Sequence, residues 1–111
     1  MSYRPPYKVY TALLSQSGTN NPTAIELENT LGSSVSFLRD GTGTYYINFN
    51  QVFPNINKIF FVLGNSSISA NTNFSIERDA SSPILYTYDV LSSNTSDDLL
   101  TNTEIEIRVY E

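Results

Sequence analysis

Val35-Ser-Phe-Leu-Arg39, Asp40-Gly-Thr-Gly43, Thr44-Tyr-Tyr-Ile-Asn-Phe49 is the stretch that decides the architecture. Two limbs rich in β-branched and aromatic residues flank a short segment whose Asp-Gly pair supplies the positive φ that tight hairpin turns require. The stretch predicts a β-hairpin. Side chains alternate across a strand, so on the second limb Tyr45, Ile47 and Phe49 face one way and Tyr46, Asn48 and Asn50 the other.

The same reading extends in both directions. Tyr7 to Leu14 predicts a first strand, closed by the turn-forming Ser15-Gln-Ser-Gly-Thr-Asn-Asn-Pro22. Thr23 to Glu28 alternates strictly, which places Ile25 and Leu27 on a buried face and Glu26 and Glu28 on a wet one. Ile59-Phe-Phe-Val-Leu63 is apolar on both faces, as expected of a strand covered on two sides or lying in an interface, and is expected at the centre of the fold. Phe74 to Glu77, Ile84 to Val90 and Glu104 to Tyr110 complete the strand pattern, the last with Ile105, Ile107 and Val109 inward. Asp97 to Leu100 has the composition of a single capped helical turn. About eight short strands without an amphipathic helix make the class all-β and point to two packed antiparallel sheets or a small barrel; the reading adopted is a single-domain antiparallel β-sandwich of jelly-roll-like type. That domain spans 7–111, and 1–6 form an extended N-terminal arm stiffened by Pro5-Pro6.

Composition narrows the chemistry. The chain has 111 residues, a formal net charge of −5, and no His, Cys or Trp. Imidazole bases, thiolate nucleophiles, disulfides and the usual zinc cages are thereby excluded. With 15 Ser, 11 Thr and 12 Asn against a charged fraction of 15%, uncharged hydroxyl and amide side chains dominate the polar surface. The six basic residues are scattered along an acidic chain, so a phosphate backbone finds no basic stripe and nucleic acid is not an expected partner. No apolar run is long enough to cross a bilayer, and the segment behind Arg4 lacks the apolar core of a signal peptide. A chain made and released in soluble form, with no membrane association, is expected.

Three constellations merit weighing. Glu26 with Glu28, and Glu104 with Glu106, each offer two carboxylates on one strand face, the equipment of glycoside hydrolysis, but also of an ordinary solvated edge. Asp89, Asp97 and Asp98 could gather oxygens for Ca²⁺, although no loop spacing supports it. Eight Tyr and six Phe exceed what a small core uses, and Tyr46, Tyr86 and Tyr88 stand where phenol rings beside amides could stack on sugars or pack against protein. No catalytic, cofactor-binding or metal residue is assigned.

Tyr7 to Ala24, Leu27-Glu-Asn-Thr-Leu-Gly32, Gly41-Thr-Gly-Thr-Tyr45 and Thr103-Glu-Ile-Glu-Ile-Arg-Val-Tyr110 together resemble small β-rich virion-associated proteins of tailed bacteriophages, of auxiliary capsid, head-fibre or tail-fibre type. The resemblance implies a non-enzymatic structural protein resident in the virion. It is expected to assemble with identical copies, a trimer favoured, and with other virion proteins, through its sandwich surface and its arm. Arg4, Pro5, Pro6 and Tyr7 are the residues expected to dock on a neighbour. The alternative is a glycan- or receptor-binding fibre module using Tyr46, Tyr86 and Tyr88, with carbohydrate as its ligand.

Overall fold

Alternating apolar residues need a second apolar surface to cover them, and the chain supplies it with two antiparallel sheets packed face to face. The computed structural model describes residues 6–64 and 72–110. In chain order the strands are β1 (Tyr7–Ser15), β2 (Thr23–Asn29), β3 (Ser36–Gly41), β4 (Thr44–Asn48), β5 (Ile59–Leu63), β6 (Thr72–Glu77), β7 (Ile84–Asp89), β8 (Asn94–Thr95) and β9 (Thr103–Tyr110), with one 3-10 turn at Ile56–Lys58. One sheet has the order β2-β1-β9-β5, and the other β3-β4-β7-β6, with the short β8 continuing the line of β4 along β7.

The hairpin forms where its sequence places it, but its turn sits one step later. Gly41 pairs with Thr44, leaving Thr42-Gly43 as the loop, and the positive φ (61°) belongs to Gly43 rather than to the Asp-Gly pair. Asp40 lies at a register shift in the β3–β4 ladder. A Cβ at Gly43 would lie 2.5 Å from the Ser96 amide nitrogen and 2.7 Å from the Thr87 carbonyl oxygen, so this turn is pressed against the strand opposite.

Between the sheets, Tyr10, Ala12, Leu14, Ile59, Ile105, Ile107 and Val109 from one layer meet Phe37, Tyr45, Ile47 and Leu85 from the other. Leu31, Phe49, Phe53 and Leu100 fill the ends. Phe49 stacks edge-on against Phe53, with centroids 5.0 Å apart. The inward alternation expected for Tyr45, Ile47, Phe49, Ile105, Ile107 and Val109 is what the sheets use, since all six are buried.

One polar network crosses this core. The Tyr45 hydroxyl lies 2.8 Å from both Gln16 Oε1 and Asp97 Oδ1. Asp97 also accepts from the Gly43 amide (2.9 Å) and from the Arg39 guanidinium (Nη2 to Oδ2, 2.8 Å; Nε to Oδ1, 3.2 Å). Gln16 Oε1 accepts in turn from the Asp98 amide at 2.9 Å. The end of β1, the β3–β4 hairpin and the loop before β9 are thus tied at one point. Asp98 has φ 65°, and Asp97 and Asp98 form bends, so 97–100 is not the single helical turn that its composition allows.

Two strand assignments need correction. β2 does not bury Ile25 and Leu27: they are 59% and 63% exposed. It is an edge strand, and the β1–β2 register shifts between Thr11 and Ala12, so that Glu26 opposes Ala12 while Glu28 opposes Thr11. Strict alternation in sequence therefore becomes a bulge in the sheet. β5 is not the centre of the fold but the opposite edge of the same sheet; Ile59 is buried, yet Phe60 and Val62 are 50% and 56% exposed.

Candidate functional site

The sandwich presents two outer faces whose chemistry differs. On the β2-β1-β9-β5 sheet, register places Tyr7, Val9, Thr11 and Leu13 of β1 beside Tyr110, Arg108, Glu106 and Glu104 of β9, with Phe60 opposite Arg108 and Val62 opposite Glu106. Tyr110 bridges two other rings, 5.2 Å from Tyr7 and 5.2 Å from Phe60. The Arg108 guanidinium lies 4.7 Å from the Tyr7 ring centroid and donates to Glu106 (3.0 Å), which holds its pKa well above the ordinary arginine value. Ile25 and Leu27 stand exposed at one margin of this sheet, and Phe60 and Val62 at the other.

Of the residues expected to dock, Arg4 and Pro5 lie outside the described residues. Pro6 is exposed, and Tyr7 is half-buried as the first residue of β1, paired with Tyr110. Tyr7 is therefore part of this aromatic face. The paired carboxylates also separate: Glu26 and Glu28 take opposite sides of the bulged strand, whereas Glu104 and Glu106 do share the outer face of β9. Asp97 is held by Arg39, Gly43 and Tyr45, which push its carboxyl from 3.8 down to about 2. Its oxygens are committed to the protein rather than to the cation site weighed for Asp89, Asp97 and Asp98.

On the other sheet, backbone pairing orders the outward residues in ranks. Leu38, Tyr46, Ile84 and Glu77 cross the sheet in one, Thr44, Tyr86 and Ser75 in the next, and Thr95, Tyr88 and Asn73 in the third. The three tyrosines read from sequence are therefore brought onto one surface. Tyr86 and Tyr88 rings lie 6.3 Å apart at 32°. The Tyr86 hydroxyl donates to Glu77 Oε2 at 2.9 Å, and that bond, before burial and the nearby charges of Glu77, Tyr88 and Tyr46, raises its pKa. Beside Tyr46 opens a groove of about 270 Å³ lined by Glu77, Arg78, Asp79, Ser82 and Ile84.

Glu77 and the edge residues Phe60 and Val62 were not singled out as site residues in the sequence. Glu77 ends an alternating strand, and only the β6–β7 register brings it to Tyr86; the exposure of Phe60 and Val62 follows from β5 being an edge, which local pattern does not encode. No protein family, no curated protein and no solved structure matches the chain.

Proposed function

We propose that the protein is a non-enzymatic structural subunit that assembles head-to-tail with identical copies, the β5 edge of one copy packing against the β2 edge of the next. The observation that carries this reading is β5 itself: an uncharged, proline-free edge strand with Phe60 and Val62 half in water. Unprotected edges of this kind are association sites. Two-fold β2–β2 pairing would set Glu26 and Glu28 against their own copies, and β5–β5 pairing would leave the apolar Ile25 and Leu27 uncovered. The head-to-tail contact covers all four apolar side chains and brings Lys58, at the start of β5, toward the acidic β2. Heterologous contacts close into rings when the rotation between copies closes and run on as filaments when it does not; the closed form is proposed here, and a trimer is a small ring.

The virion setting rests on the resemblance to small tailed-phage proteins, with auxiliary capsid, head-fibre or tail-fibre roles as its consequence; docking by the arm at 1–6 rests on the stiffness of Pro5-Pro6, which lowers the entropy lost on ordering. A non-enzymatic role is supported by the placement of the carboxylate pairs, which lie on open strand faces, with Glu106 tied to Arg108.

Light scattering on the purified protein at micromolar concentration tests the assembly. The wild type is expected as a closed oligomer, Phe60→Glu and Leu27→Lys as folded monomers, and Glu28→Lys as a weakened oligomer restored by adding Lys58→Glu. A wild-type monomer, or a two-fold dimer indifferent to Glu28→Lys, refutes the arrangement. Mass spectrometry of purified phage particles tests the setting: absence of the chain from particles removes the virion role.

A further inference from the structure

The outer face of the β3-β4-β7-β6 sheet differs from its counterpart in the kind of ligand it suits. Its ranks hold three tyrosine rings, the hydroxyls of Thr44 and Ser75 and one carboxylate, Glu77, with no lysine or arginine in the paired ranks. A protein partner would bury these hydroxyls against groups that must each match them. A polynucleotide would meet Glu77 and a chain of net charge −5. A saccharide has the complementary make-up: a flat face of C–H groups that lies on a phenol ring, and rim hydroxyls that donate to carboxylate and amide oxygens.

We propose that Tyr46, Tyr86 and Tyr88, with Glu77, form a binding site for a neutral oligosaccharide. The rings are pre-positioned. Tyr86 is held by its 2.9 Å bond to Glu77 and by the neighbouring Tyr88 ring, so little side-chain freedom is lost when a sugar lands on it. The groove beside Tyr46, about 270 Å³, is smaller than a drug-sized pocket and suits one sugar ring; Glu77 lies on its wall and serves as hydroxyl acceptor. From there the Tyr86–Tyr88 pair extends a platform on which the next sugars rest. The groove is also net negative, Glu77 and Asp79 outnumbering the single Arg78 on its wall, so a neutral sugar is favoured over the carboxylates of uronic or sialic acids. This site lies on the side of the sandwich opposite the aromatic face of Tyr7, Phe60 and Tyr110, so assembly through β2 and β5 leaves it open to solvent.

The test is a glycan array carrying neutral and acidic oligosaccharides, followed by NMR titration of the labelled full chain with the strongest neutral binder. The expected result is millimolar or tighter binding of a neutral glycan, with amide shifts centred on Thr44, Ser75 and Tyr86. Tyr46→Ala and Tyr86→Ala are each expected to weaken it at least tenfold. Tyr86→Phe, which keeps the ring and the fold, is expected to retain most of the affinity, and Phe60→Glu is expected to retain all of it. No binding of any neutral glycan, binding confined to acidic glycans, or affinity unchanged in Tyr46→Ala and Tyr86→Ala overturns the proposal.

Discussion

Replacing Asp97 by asparagine removes one negative charge at the point where three segments of the chain meet, and the cost can be worked from the geometry. The carboxylate accepts from Arg39, Gly43 and Tyr45, and its pKa falls from 3.8 to about 2. At about 1.4 kcal/mol per pH unit, that difference corresponds to about 2.5 kcal/mol, reduced to about 1–2 kcal/mol by the water that reaches the side chain. The sign follows from linkage: a carboxyl whose folded pKa is depressed stabilises the fold above its unfolded pKa, and that stabilisation is lost as pH falls through the folded value. The wild type is therefore expected to exceed Asp97→Asn by about 1–2 kcal/mol at pH 7, with most of the gap closing between the unfolded pKa of 3.8 and the folded one of about 2. Urea unfolding followed by the tyrosine near-ultraviolet signal, run on both proteins across that range, reads the gap directly. Equal stability at neutral pH, or a gap that persists undiminished below the folded pKa, refutes the account of Asp97 as the charged tie between the hairpin, Gln16 and the loop before β9.

Gly43→Ala is expected to cost more than about 2 kcal/mol, because its Cβ would meet backbone atoms at 2.5–2.7 Å in a left-handed conformation, whereas Gly41→Ala, with open space around it, is expected to shift thermal unfolding little. Tyr10→Phe is expected to be neutral or to stabilise by up to about 1 kcal/mol, since the buried Tyr10 hydroxyl has no hydrogen-bond partner among the described residues; a clear loss in denaturant titration would reveal a partner for it. The Tyr10 phenol is pushed up to about 12, chiefly by burial and then by Glu26, so it leaves stability independent of pH below 10 and lowers it as pH rises from 10 toward 12, where the unfolded phenol ionises and the buried one does not. The wild type should therefore lose more stability than Tyr10→Phe over that interval. Deleting Met1 to Pro6 is expected to weaken oligomers in light scattering while leaving the circular dichroism of the sandwich unchanged; unaltered assembly would remove the arm from the contact.

The parts of the fold legible in sequence are those that local pattern controls. Alternation in β4 and β9 fixes which residues go inward whatever the neighbours, and glycine beside a turn marks a hairpin even though the left-handed residue is Gly43 rather than the Asp-Gly pair. What local pattern cannot encode is position within a sheet. Ile59 to Leu63 reads as a central strand because both faces are apolar, yet the same composition sits at an edge where another surface can cover it. Ile25 and Leu27 mislead for the complementary reason: a single bulge opposite Thr11 and Ala12 breaks the two-residue period that the reading relies on. The tyrosine surface lies between these cases. Tyr86 and Tyr88 share a face by simple alternation, but Tyr46 and Glu77 join them only through cross-strand register, a long-range property.

The place of β9 bears on how the protein is made. Among the described strands it comes last in chain order, yet it lies between β1 and β5 and supplies Ile105, Ile107 and Val109 to the interior. A nascent chain halted before Thr103 has a gap in the middle of one layer, with the ladders of β1 and β5 both facing the missing neighbour. Folding of that layer is thus postponed until Thr103 to Tyr110 has been made, and a product terminated before it is left with unpaired ladders and an uncovered interior.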